Sequence, residues 1–376
     1  MSLIYPETIN PALQNFFLDQ LSHPHQFKSA IHNSDEMYQF ALLNQPTQSQ
    51  AALRYFFNGK RIFDAVSQVM QWHFGELNHV TSFLDFASGY GRFTRFLTPA
   101  ISPSKIWISE IHPAAVAFQT EQFGVQGILS SSQPNDFQTN QKFDSISAIS
   151  FFSHLPENSF RLWMKTLYNL LTPDGILMLS VHHRSLLPNE AAIGADEILF
   201  IPESESNDLD VNEYGTSYVG EEFVEQVIHQ ISDHQATIYR IHQGICRYQD
   251  LYLVTKKAKN DFSKLQFSHH PQGRLEHCYL TDNNFIQFEG FVSEINPNSQ
   301  IDSIIVLKNN QFLHQSSPLA LDGNSKSPIS WSFQIPTNQI SPQDNLLIKA
   351  VNSRKLEWIF ETDSLKNLLN NKPIKS

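Results

Sequence analysis

The residues with the clearest chemical potential lie in FLDFASGYGR, residues 83–92, where an apolar run leads into a loop with two glycines. Gly89 and Gly91 permit a tight turn and a close approach of the backbone to a ligand. Asp85 precedes the loop, and Glu110 ends the next apolar run, KIWISE. Two carboxylates beside such a loop can bind a cation and a pair of hydroxyl groups. The alternative is a tight strand-to-helix turn that binds no ligand.

The segments around this loop alternate between strand-like and helix-like patterns. HVTSFLDF, KIWISE, FDSISAISFF and GILMLSVH are apolar runs typical of buried strands. GRFTRFL, the segment between Pro113 and Gly124, and the segment from Phe160 to Leu171 have helical spacing. This alternation predicts a parallel sheet with helices on both faces. Ligands of such sheets bind beyond the carboxyl ends of the strands, which is where the glycine loop is expected.

The two carboxylates help to choose between possible ligands. A carboxylate at the tip of the second strand suits the hydroxyls of a ribose, so a nucleoside-containing cofactor is expected. NAD is one alternative, but its fingerprint has glycine or alanine where this chain has Thr94, and Asp85 would face a pyrophosphate. S-adenosylmethionine (SAM) has no phosphate and carries an ammonium and a sulfonium, which a nearby carboxylate favours. The residues therefore favour SAM.

Four segments together resemble a class I SAM-dependent methyltransferase over about residues 79–255: FLDFASGYGRFTRFL, the WISE strand end, FFSHLP and LTPDGILMLSVH. Similar proteins with a comparable loop and an FSHLP-like strand end belong to a bacterial branch often linked to cell-surface polysaccharide. The resemblance implies a Rossmann-like, seven-stranded α/β sheet and methyltransferase activity with SAM as cofactor. It implies that Asp85, Gly89 and Gly91 hold the methionine part of SAM and that Glu110 holds the ribose.

The resemblance implies further cofactor contacts around the same loop. These are expected from Phe86, Ala87, Arg92, Ile111, Ser131 and Phe151. Ala87 stands where the family pattern usually has glycine, so its backbone is expected to avoid positive φ. The acidic residue that often contacts adenine is replaced within GILSSSQPNDF, where Ser131 or Ser132 is the alternative.

The acceptor side of the site is predicted from three segments. His154, in SFFSHLPE, occupies the position beside the transferred methyl in this fold, and a histidine can accept a hydroxyl proton near neutral pH. Tyr214 and Tyr218 of NEYGTSY, and Asp250 beside Gln249, are predicted to order the acceptor. The alternative is that His154 only caps the strand end or bonds to the backbone. The expected acceptor is a small molecule or glycan with a hydroxyl group.

Charge and composition argue against several other functions. The formal net charge is -11, and no lysine or arginine occurs between Arg184 and Arg240, a stretch rich in Asp and Glu. Nucleic-acid affinity depends on Lys and Arg, so no nucleic-acid partner is expected. No segment approaches the roughly 18 apolar residues of a membrane span, and a chain with two distant cysteines fits a reducing compartment. We therefore expect a cytoplasmic protein.

Metal sites are not expected from the spacing of potential ligands. The acidic stretch lacks the glycine and terminal glutamate of a calcium loop, and its carboxylates are Glu203, Glu205, Asp208 and Asp210. A second group fits no standard zinc spacing and consists of His229, His234, His242 and Cys246. A solvated acidic loop is the favoured interpretation of the first group.

The chain is too long for one ordinary domain. The predicted segments are a helical region packing on the catalytic domain (1–78), the methyltransferase domain (79–257) with an acidic insertion or lid (184–245), a linker (258–272), a β-sandwich (273–361) and a tail (362–376). The antiparallel sandwich is predicted from five short runs: FIQFEGFVSE, IDSIIVLKN, ISWSFQIP, NLLIKAV and LEWIFE. Trp331 and Trp358 either bind carbohydrate or a partner at its surface or pack its core.

Two functions remain open from the sequence. The first is SAM-dependent O-methylation of a sugar or another small hydroxyl compound. The second is a non-catalytic SAM-fold scaffold that acts through its β-sandwich. The presence of both Asp85 and Glu110 favours the first function, because a scaffold has no need for the two together.

Overall fold

The structure is a computed structural model, and it describes residues 3–5, 18, 21, 23–203, 209–257, 259–296, 299–318 and 328–370. These residues divide into two compact units. The first unit takes the described residues within 1–4, 21–39 and 56–267, and the second takes those within 5–20, 40–55 and 268–376.

The first unit contains eleven of the strands and most of the helices. The strands are β1 (Leu3–Ile4), β2 (Ile31–His32), β3 (Phe83–Phe86), β4 (Ile106–Glu110), β5 (Gln126–Leu129), β6 (Phe143–Ala148), β7 (Leu171–His183), β8 (Ile198–Ile201), β9 (Thr216–Val219), β10 (Thr237–Ile245) and β11 (Gln249–Thr255). The helices up to the end of this unit are α1 (Glu36–Asn44), α2 (Gln48–Phe74), α3 (Thr94–Leu97), α4 (Pro113–Phe123), α5 (Glu157–Leu170) and α6 (Glu221–Ile231).

The large sheet has the strand order β10-β11-β7-β6-β3-β4-β5. Strands β3 to β7 pair in parallel, while β11 is antiparallel to both β7 and β10. Strands β8 and β9 form an antiparallel pair, and β9 joins the end of β7 in parallel. The predicted seven-stranded Rossmann-like sheet is confirmed, and the carboxyl ends of its parallel strands lie at one edge.

The sheet carries a hydrophobic core on each face. In β7, Leu177 and Leu179 belong to the core with α5 and α6, whereas Ile176 and Met178 belong to the core with α2 and α4. Because both faces are covered, successive positions of the strand are apolar instead of alternating with polar ones. Full burial of such a side chain contributes about 1.5–3 kcal/mol to folding.

Local sequence signals explain the bounds of two helices. Pro113 opens α4, and Gly124 follows it with a φ of 69°, a left-handed conformation that ends a helix at little cost for glycine. Helix α6 begins with two acidic residues, which favour the positive end of the helix dipole, and buries one apolar face. Within the described ranges, every helix is too short or too polar to cross a lipid bilayer.

The predicted acidic insertion, residues 184–245, differs from a detached lid. Strand β10 is an outer strand of the large sheet, α6 packs on the core, and β8 with β9 extends β7. Strands β8 and β9, which precede α6, are therefore joined to the sheet through the pairing of β9 with His182 and His183. Glu205 and Asp208 lie outside the described residues.

The second unit is built mainly from antiparallel strands. Its elements are β12 (Gln272–Leu280), β13 (Phe285–Ser293), β14 (Ile301–Lys308), β15 (Gln311–Ser316), β16 (Ile329–Pro336), β17 (Asn345–Asn352), β18 (Glu357–Ser364) and α7 (Leu365–Asn370). They form sheets of order β12-β13-β16 and β15-β14-β17-β18. These sheets are consistent with the predicted β-sandwich, although the sequence predicted neither β12 nor β15.

The observed division differs from the predicted segment bounds at three places. Residues 40–55, predicted to pack on the catalytic domain, belong to the second unit. The division after residue 267 falls in the predicted linker, but Phe262 within that linker is buried in the core of the first unit. Residues 362–370, predicted as part of a tail, form the end of β18 and α7, where Leu365 and Leu368 are buried.

Both tryptophans proposed as surface binding residues are core residues. Trp331 is 2% exposed and Trp358 is 7% exposed, and the Trp358 Nε1–H donates to the Gly273 carbonyl at 2.7 Å. The hypothesis of carbohydrate binding through these two rings is therefore wrong. Of the two alternatives, core packing is correct, since both rings lie on inward-facing positions of their strands.

Gln50 gives a stability test for the second unit. Its Nε2–H donates to Glu361 Oε1 at 2.8 Å, and burial raises the pKa of the Glu361 carboxyl. Gln50→Met removes this donor, so the free energy of unfolding of the second unit should fall by about 1–3 kcal/mol, the loss for an unsatisfied buried group. Denaturant unfolding measures it. Gln48→Met, on an exposed position of the same helix, is the control, and equal losses in both variants would contradict the prediction.

Candidate functional site

The loop between β3 and α3 has an unusual backbone at its first residue. Ala87 has a φ of 56°, so the prediction that its backbone avoids positive φ is wrong. The left-handed conformation lets the chain turn sharply out of β3, and the Ser88 N–H then donates to the Ser109 carbonyl of β4 at 3.2 Å. An alanine in this conformation carries strain of about 1–2 kcal/mol, which the surrounding loop must hold.

The two loop glycines differ in the space that surrounds them. Both have positive φ, 56° for Gly89 and 76° for Gly91. A Cβ on Gly91 would lie 2.4 Å from the Phe123 ring, whereas a Cβ on Gly89 would meet nothing within 4 Å. Gly91 is therefore required by packing inside the protein. At Gly89 the backbone borders open space, which leaves room for a ligand.

Asp85 ends up in a buried site where protonation is favoured. Burial raises the pKa of its carboxyl to about 7, the Thr94 hydroxyl opposes this, and nearby Glu110 adds to it. Thr94 Oγ1 lies 2.6 Å from Asp85 Oδ2 and 2.9 Å from Gln119 Oε1. One hydroxyl hydrogen cannot satisfy two acceptors, but a protonated Asp85 supplies the second hydrogen. Geometry and burial thus agree that Asp85 holds a proton readily.

Gln119 is a site residue that sequence reasoning missed. It is fully buried on α4, where its Nε2–H groups donate to Ser88 Oγ and to the Gly89 carbonyl, each at 2.8 Å. One amide therefore fixes the loop backbone and Thr94 together. The detectable signal was a polar side chain four residues from both Ala115 and Phe123, on the face of the helix that these residues bury, which indicates an internal hydrogen bond.

Glu110 binds the backbone of the glycine loop and of its own strand end. Its Oε2 accepts from the Gly89 N–H at 2.8 Å, and its Oε1 accepts from the N–H groups of Ile111 at 2.8 Å and His112 at 3.3 Å. A carboxylate offers about four acceptor positions, so Oε2 keeps capacity for one further donor. The carboxylate joins the ends of β3 and β4.

The other residues of the predicted cofactor set lie around this loop with different degrees of burial. Phe86 and Phe151 are core residues whose ring centroids are 5.0 Å apart. Arg92 and Ile111 are half-buried. Ser131 follows β5, and its Oγ accepts from the Gln133 N–H at 3.1 Å. Their position at the ends of β3, β4, β5 and β6 places them at the same edge of the sheet.

Arg95 fastens an N-terminal segment to the loop and was not predicted. Its guanidinium is fully buried and donates to the carbonyls of Lys28, Ala30 and Gly91, among others. The His32 ring, two residues further along, stacks on Tyr90 of the glycine loop with 4.6 Å between centroids. Residues 28–32 therefore pack directly against the glycine loop.

Three of the residues predicted for the acceptor side, His154, Tyr214 and Tyr218, lie in one group of rings. His154 Nδ1 lies 2.7 Å from the Gly215 carbonyl oxygen, and the Gly215 N–H donates to the His154 carbonyl at 2.9 Å. Tyr214 stacks on His154 with 4.8 Å between centroids. Since a carbonyl only accepts, Nδ1 must carry a hydrogen, and in the neutral ring the lone pair is on Nε2.

His182 joins the same group and was missed by sequence reasoning. Its ring lies 6.0 Å from His154, 5.5 Å from Tyr218 and 5.4 Å from Tyr248. Burial lowers the pKa of His182 to about 4, the proximity of His154 lowers it further, and the Ser217 backbone opposes both. We use the name aromatic group for His154, His182, Tyr214, Tyr218 and Tyr248.

Asp250 is not brought to the aromatic group. Its side chain is 1% exposed and is paired with Arg240 at 2.6 Å and His242 at 3.1 Å. Asp250 Oδ1 also accepts from the Gln243 N–H at 2.8 Å. Successive side chains of a strand point to opposite faces, so Gln249 lies with His182 while Asp250 does not. The expectation that Asp250 orders the acceptor is corrected on these grounds.

The described residues contain no group of three or more His, Cys, Asp or Glu side chains arranged to hold a metal ion. His229 and His234, two of the four residues considered above as zinc ligands, stack on each other with 5.0 Å between ring centroids.

Comparison with known proteins decides the class of this site. Residues 84–177 match a family model described as a methyltransferase domain. Over this segment the chain carries a methyltransferase domain. The matched segment runs from β3 into β7 and so includes the glycine loop, Glu110 and His154. Because the match includes these residues, it favours the catalytic alternative over the scaffold.

Several solved structures are similar to part of this chain at low identity. A SAM-dependent methyltransferase from Clostridium acetobutylicum is 16% identical, with a TM-score of 0.37, over 52% of this chain and 91% of that chain. DesVI from Streptomyces venezuelae is 11% identical, with a TM-score of 0.41, over 60% of this chain and 100% of that chain. A third structure is magnesium protoporphyrin IX methyltransferase from Synechocystis PCC 6803 with S-adenosylhomocysteine (SAH) bound. It is 12% identical, with a TM-score of 0.40, over 60% of this chain and 96% of that chain.

Similarity at this level carries no argument about the acceptor. The comparison with curated proteins gave no match. The polysaccharide-linked branch suggested by the sequence is not supported by the family model or by the solved structures.

The difference between the two glycines predicts different costs for the same substitution. Gly89→Ala adds backbone strain of about 1–2 kcal/mol in open space. Gly91→Ala adds similar strain and also a clash with Phe123, which typically costs about 1–3 kcal/mol more. Denaturant unfolding should therefore show the greater loss of stability for Gly91→Ala. Equal losses in the two variants, or a greater loss for Gly89→Ala, would contradict this account of the loop.

Proposed function

We propose that this protein transfers the methyl group of SAM to a hydroxyl group of a sugar or another small hydroxyl compound. The observation that carries the proposal is the orientation of His154. Its Nδ1–H is committed to the Gly215 carbonyl, so the neutral ring holds its lone pair on Nε2. The ring stacks on Tyr214, and its loop follows β6, next to β3 in the sheet. An imidazole in this state can accept the proton of a hydroxyl group.

The cofactor fits the residues at the ends of β3 and β4. Asp85, Gly89 and Gly91 would hold the methionine part, and Glu110 the ribose through the remaining acceptor capacity of Oε2. Phe86, Ala87, Arg92, Ile111, Ser131 and Phe151 complete the proposed set. The open space beside Gly89 supports the fit, because the cofactor needs close approach to the backbone. Asp85 supports it as well, because the ammonium of the cofactor would favour the ionised form of a carboxyl whose pKa is about 7.

Bound SAM supplies a methyl group on a positively charged sulfur. The protein's residues then position the acceptor and remove its proton. Tyr214 and Tyr218 present rings with an apolar face and a polar hydroxyl, which suits a sugar ring. His154 Nε2 accepts the hydroxyl proton as the oxygen attacks. Most of the rate enhancement is expected from positioning, because in-line methyl transfer to a well-placed nucleophile needs little further assistance.

A screen for conversion of SAM to SAH tests the acceptor class. The full chain is assayed against sugars, other small hydroxyl compounds and amines of similar size. The proposal expects conversion that depends on the presence of a hydroxyl acceptor. Conversion with amines and none with hydroxyl compounds would overturn the O-methylation assignment and leave the methyltransferase assignment intact.

The raised pKa of Asp85 predicts pH-dependent binding of SAM. The ammonium of SAM favours the carboxylate, which forms as the pH rises through about 7. Affinity should therefore increase about tenfold between pH 6 and pH 8 and then level off. Calorimetry in buffers of different ionisation enthalpy should detect a proton released on binding near pH 7.

Asp85→Asn is the control for this pH dependence. Asn cannot ionise, so the variant should bind SAM more weakly at pH 8 and with an affinity that does not change between pH 6 and pH 8. Wild-type affinity that is flat over the same range, with no proton released, would contradict the proposed contact between Asp85 and the ammonium.

The proposed role of His154 predicts a kinetic effect without an effect on cofactor binding. With an acceptor from the screen, His154→Ala should lower kcat by about 10²-fold or more and remove one ionisation from the pH–rate profile. SAM affinity should not change. His79→Ala is the control, because the His79 ring also bonds a backbone carbonyl, at 3.0 Å, but before the amino end of β3. Near-native kcat and an unchanged profile in His154→Ala would assign the base to Tyr214 or Tyr218 instead.

A further inference from the structure

Gln249 lies at the centre of a buried hydrogen-bond network beside the aromatic group. Its Oε1 is 2.7 Å from Ser180 Oγ and 3.0 Å from Ser150 Oγ. Its Nε2 is 3.1 Å from His182 Nε2 and 3.4 Å from Ser153 Oγ. One side chain at the start of β11 thus contacts β7 and the loop after β6, which carries His154.

The distances and the number of available hydrogens determine which end of the Gln249 amide is Oε1 and which is Nε2. The Ser150 N–H donates to Ser180 Oγ at 2.8 Å, so the Ser180 hydroxyl hydrogen needs an acceptor, and Gln249 Oε1 is the acceptor at 2.7 Å. With the amide reversed, Ser180 Oγ would face two donors and its own hydrogen would lose this partner. The short contacts are typical of O–H···O bonds and the longer ones of N–H donors.

This orientation determines the state of the His182 ring. An amide N–H only donates, so His182 Nε2 must accept and cannot carry a hydrogen. Protonation of Nε2 would set two N–H groups against each other at 3.1 Å. The neutral ring therefore carries its hydrogen on Nδ1, a buried atom for which the described residues offer no hydrogen-bond partner.

The titratable groups that face His182 do not favour its cation, although the Ser217 backbone does. The titratable side chains in ring contact with it are His154, Tyr218 and Tyr248, from three different elements. Asp250, next to Gln249 in the chain, is paired with Arg240 on the opposite face of β11. Burial and the neighbouring His154 act in the same direction as the amide.

We propose that Gln249 is a positioning residue that holds His182 as the neutral Nδ1–H imidazole, so that His154 is the histidine of the pair that accepts the acceptor's proton. This inference rests on the proposed function. A neutral His182 keeps a like charge away from the imidazolium that forms on His154, whose ring centroid is 6.0 Å away. The same amide holds Ser150 and Ser153, and so the loop that carries His154, in place.

The state of the His182 ring is measurable without any acceptor. Long-range ¹H–¹⁵N correlation spectra of the full chain with labelled histidine distinguish the two neutral tautomers and the cation. The His182 signal is identified by its absence from His182→Phe. We expect a neutral Nδ1–H ring that does not titrate between about pH 5 and about pH 8. An Nε2–H tautomer, or titration within this range, overturns the proposal.

A charge substitution tests whether the Gln249 amide is what keeps His182 neutral. Gln249→Glu replaces the donor by a carboxylate, which still accepts from the two serines but requires His182 to donate from Nε2. The His182 titration midpoint should then rise into the range of about pH 5 to about pH 8, and the pH–rate profile should gain a second ionisation. Gln287→Glu, at an equally buried glutamine of the second unit, is the matched control and should leave His182 unchanged.

The spectra test the role of Gln249 and the kinetics test the proposed function, so one proposal can be overturned without the other. Absence of methyl transfer to every hydroxyl acceptor overturns the proposed function, while the wild-type tautomer still decides the role of Gln249. A His182 that keeps the same tautomer and midpoint in Gln249→Glu shows that burial alone holds it neutral, and that result overturns the role assigned to Gln249.

Discussion

The bond from the Gly89 N–H to the Glu110 carboxylate, 2.8 Å long, is the constraint on which the rest of the site depends. It joins the loop after β3 to the end of β4 and so sets the distance between the two regions that would hold the two ends of the cofactor. The left-handed backbone at Ala87, Gly89 and Gly91 is compatible with that bond, and the strain at Ala87 is held by it. Gln119 fixes the same loop from α4.

The acceptor side is organised by a second polar centre of a different kind. Most of the proposed cofactor residues follow β3 and β4. The aromatic group comes from the loop after β6, the end of β7, β9 with the residues just before it, and the turn before β11. Strand β11 runs antiparallel to β7, so its first residue, Gln249, reaches the edge where the parallel strands end. The antiparallel direction of β11 thus places the buried Gln249 amide beside the aromatic group. This is a physical reason why the aromatic group depends on residues far apart in the chain.

Much of the first unit could be predicted from the sequence because its signals are local. The apolar runs of β3 and β7, and Pro113 with Gly124 at the ends of α4, are sufficient on their own. The positions of Asp85, Gly89 and Glu110 at the ends of β3 and β4 were also predictable, since motif and strand end coincide. Ala87 was predicted wrongly because the demand for positive φ comes from the loop as a whole and outweighs the residue's own preference.

What could not be predicted depends on contacts between distant segments. His182 looks like the polar end of a strand, and only the fold places it beside His154 and Gln249. Asp250 looks equally suitable for the acceptor site, but strand alternation turns it toward Arg240. Strand β12 carries charged residues without clear alternation and was therefore missed. Residues 40–55 have helical spacing that cannot show which core receives them, and they belong to the second unit.

A crystal structure of the full chain with SAH tests the central claim most directly. The account predicts that the ribose hydroxyls lie within hydrogen-bond distance of Glu110 and that the amino group of the homocysteine part lies beside Asp85. It also predicts that the adenosyl sulfur faces His154 across the ends of β3 and β6. SAH bound away from the glycine loop, or bound there with no contact to Glu110, would contradict the account.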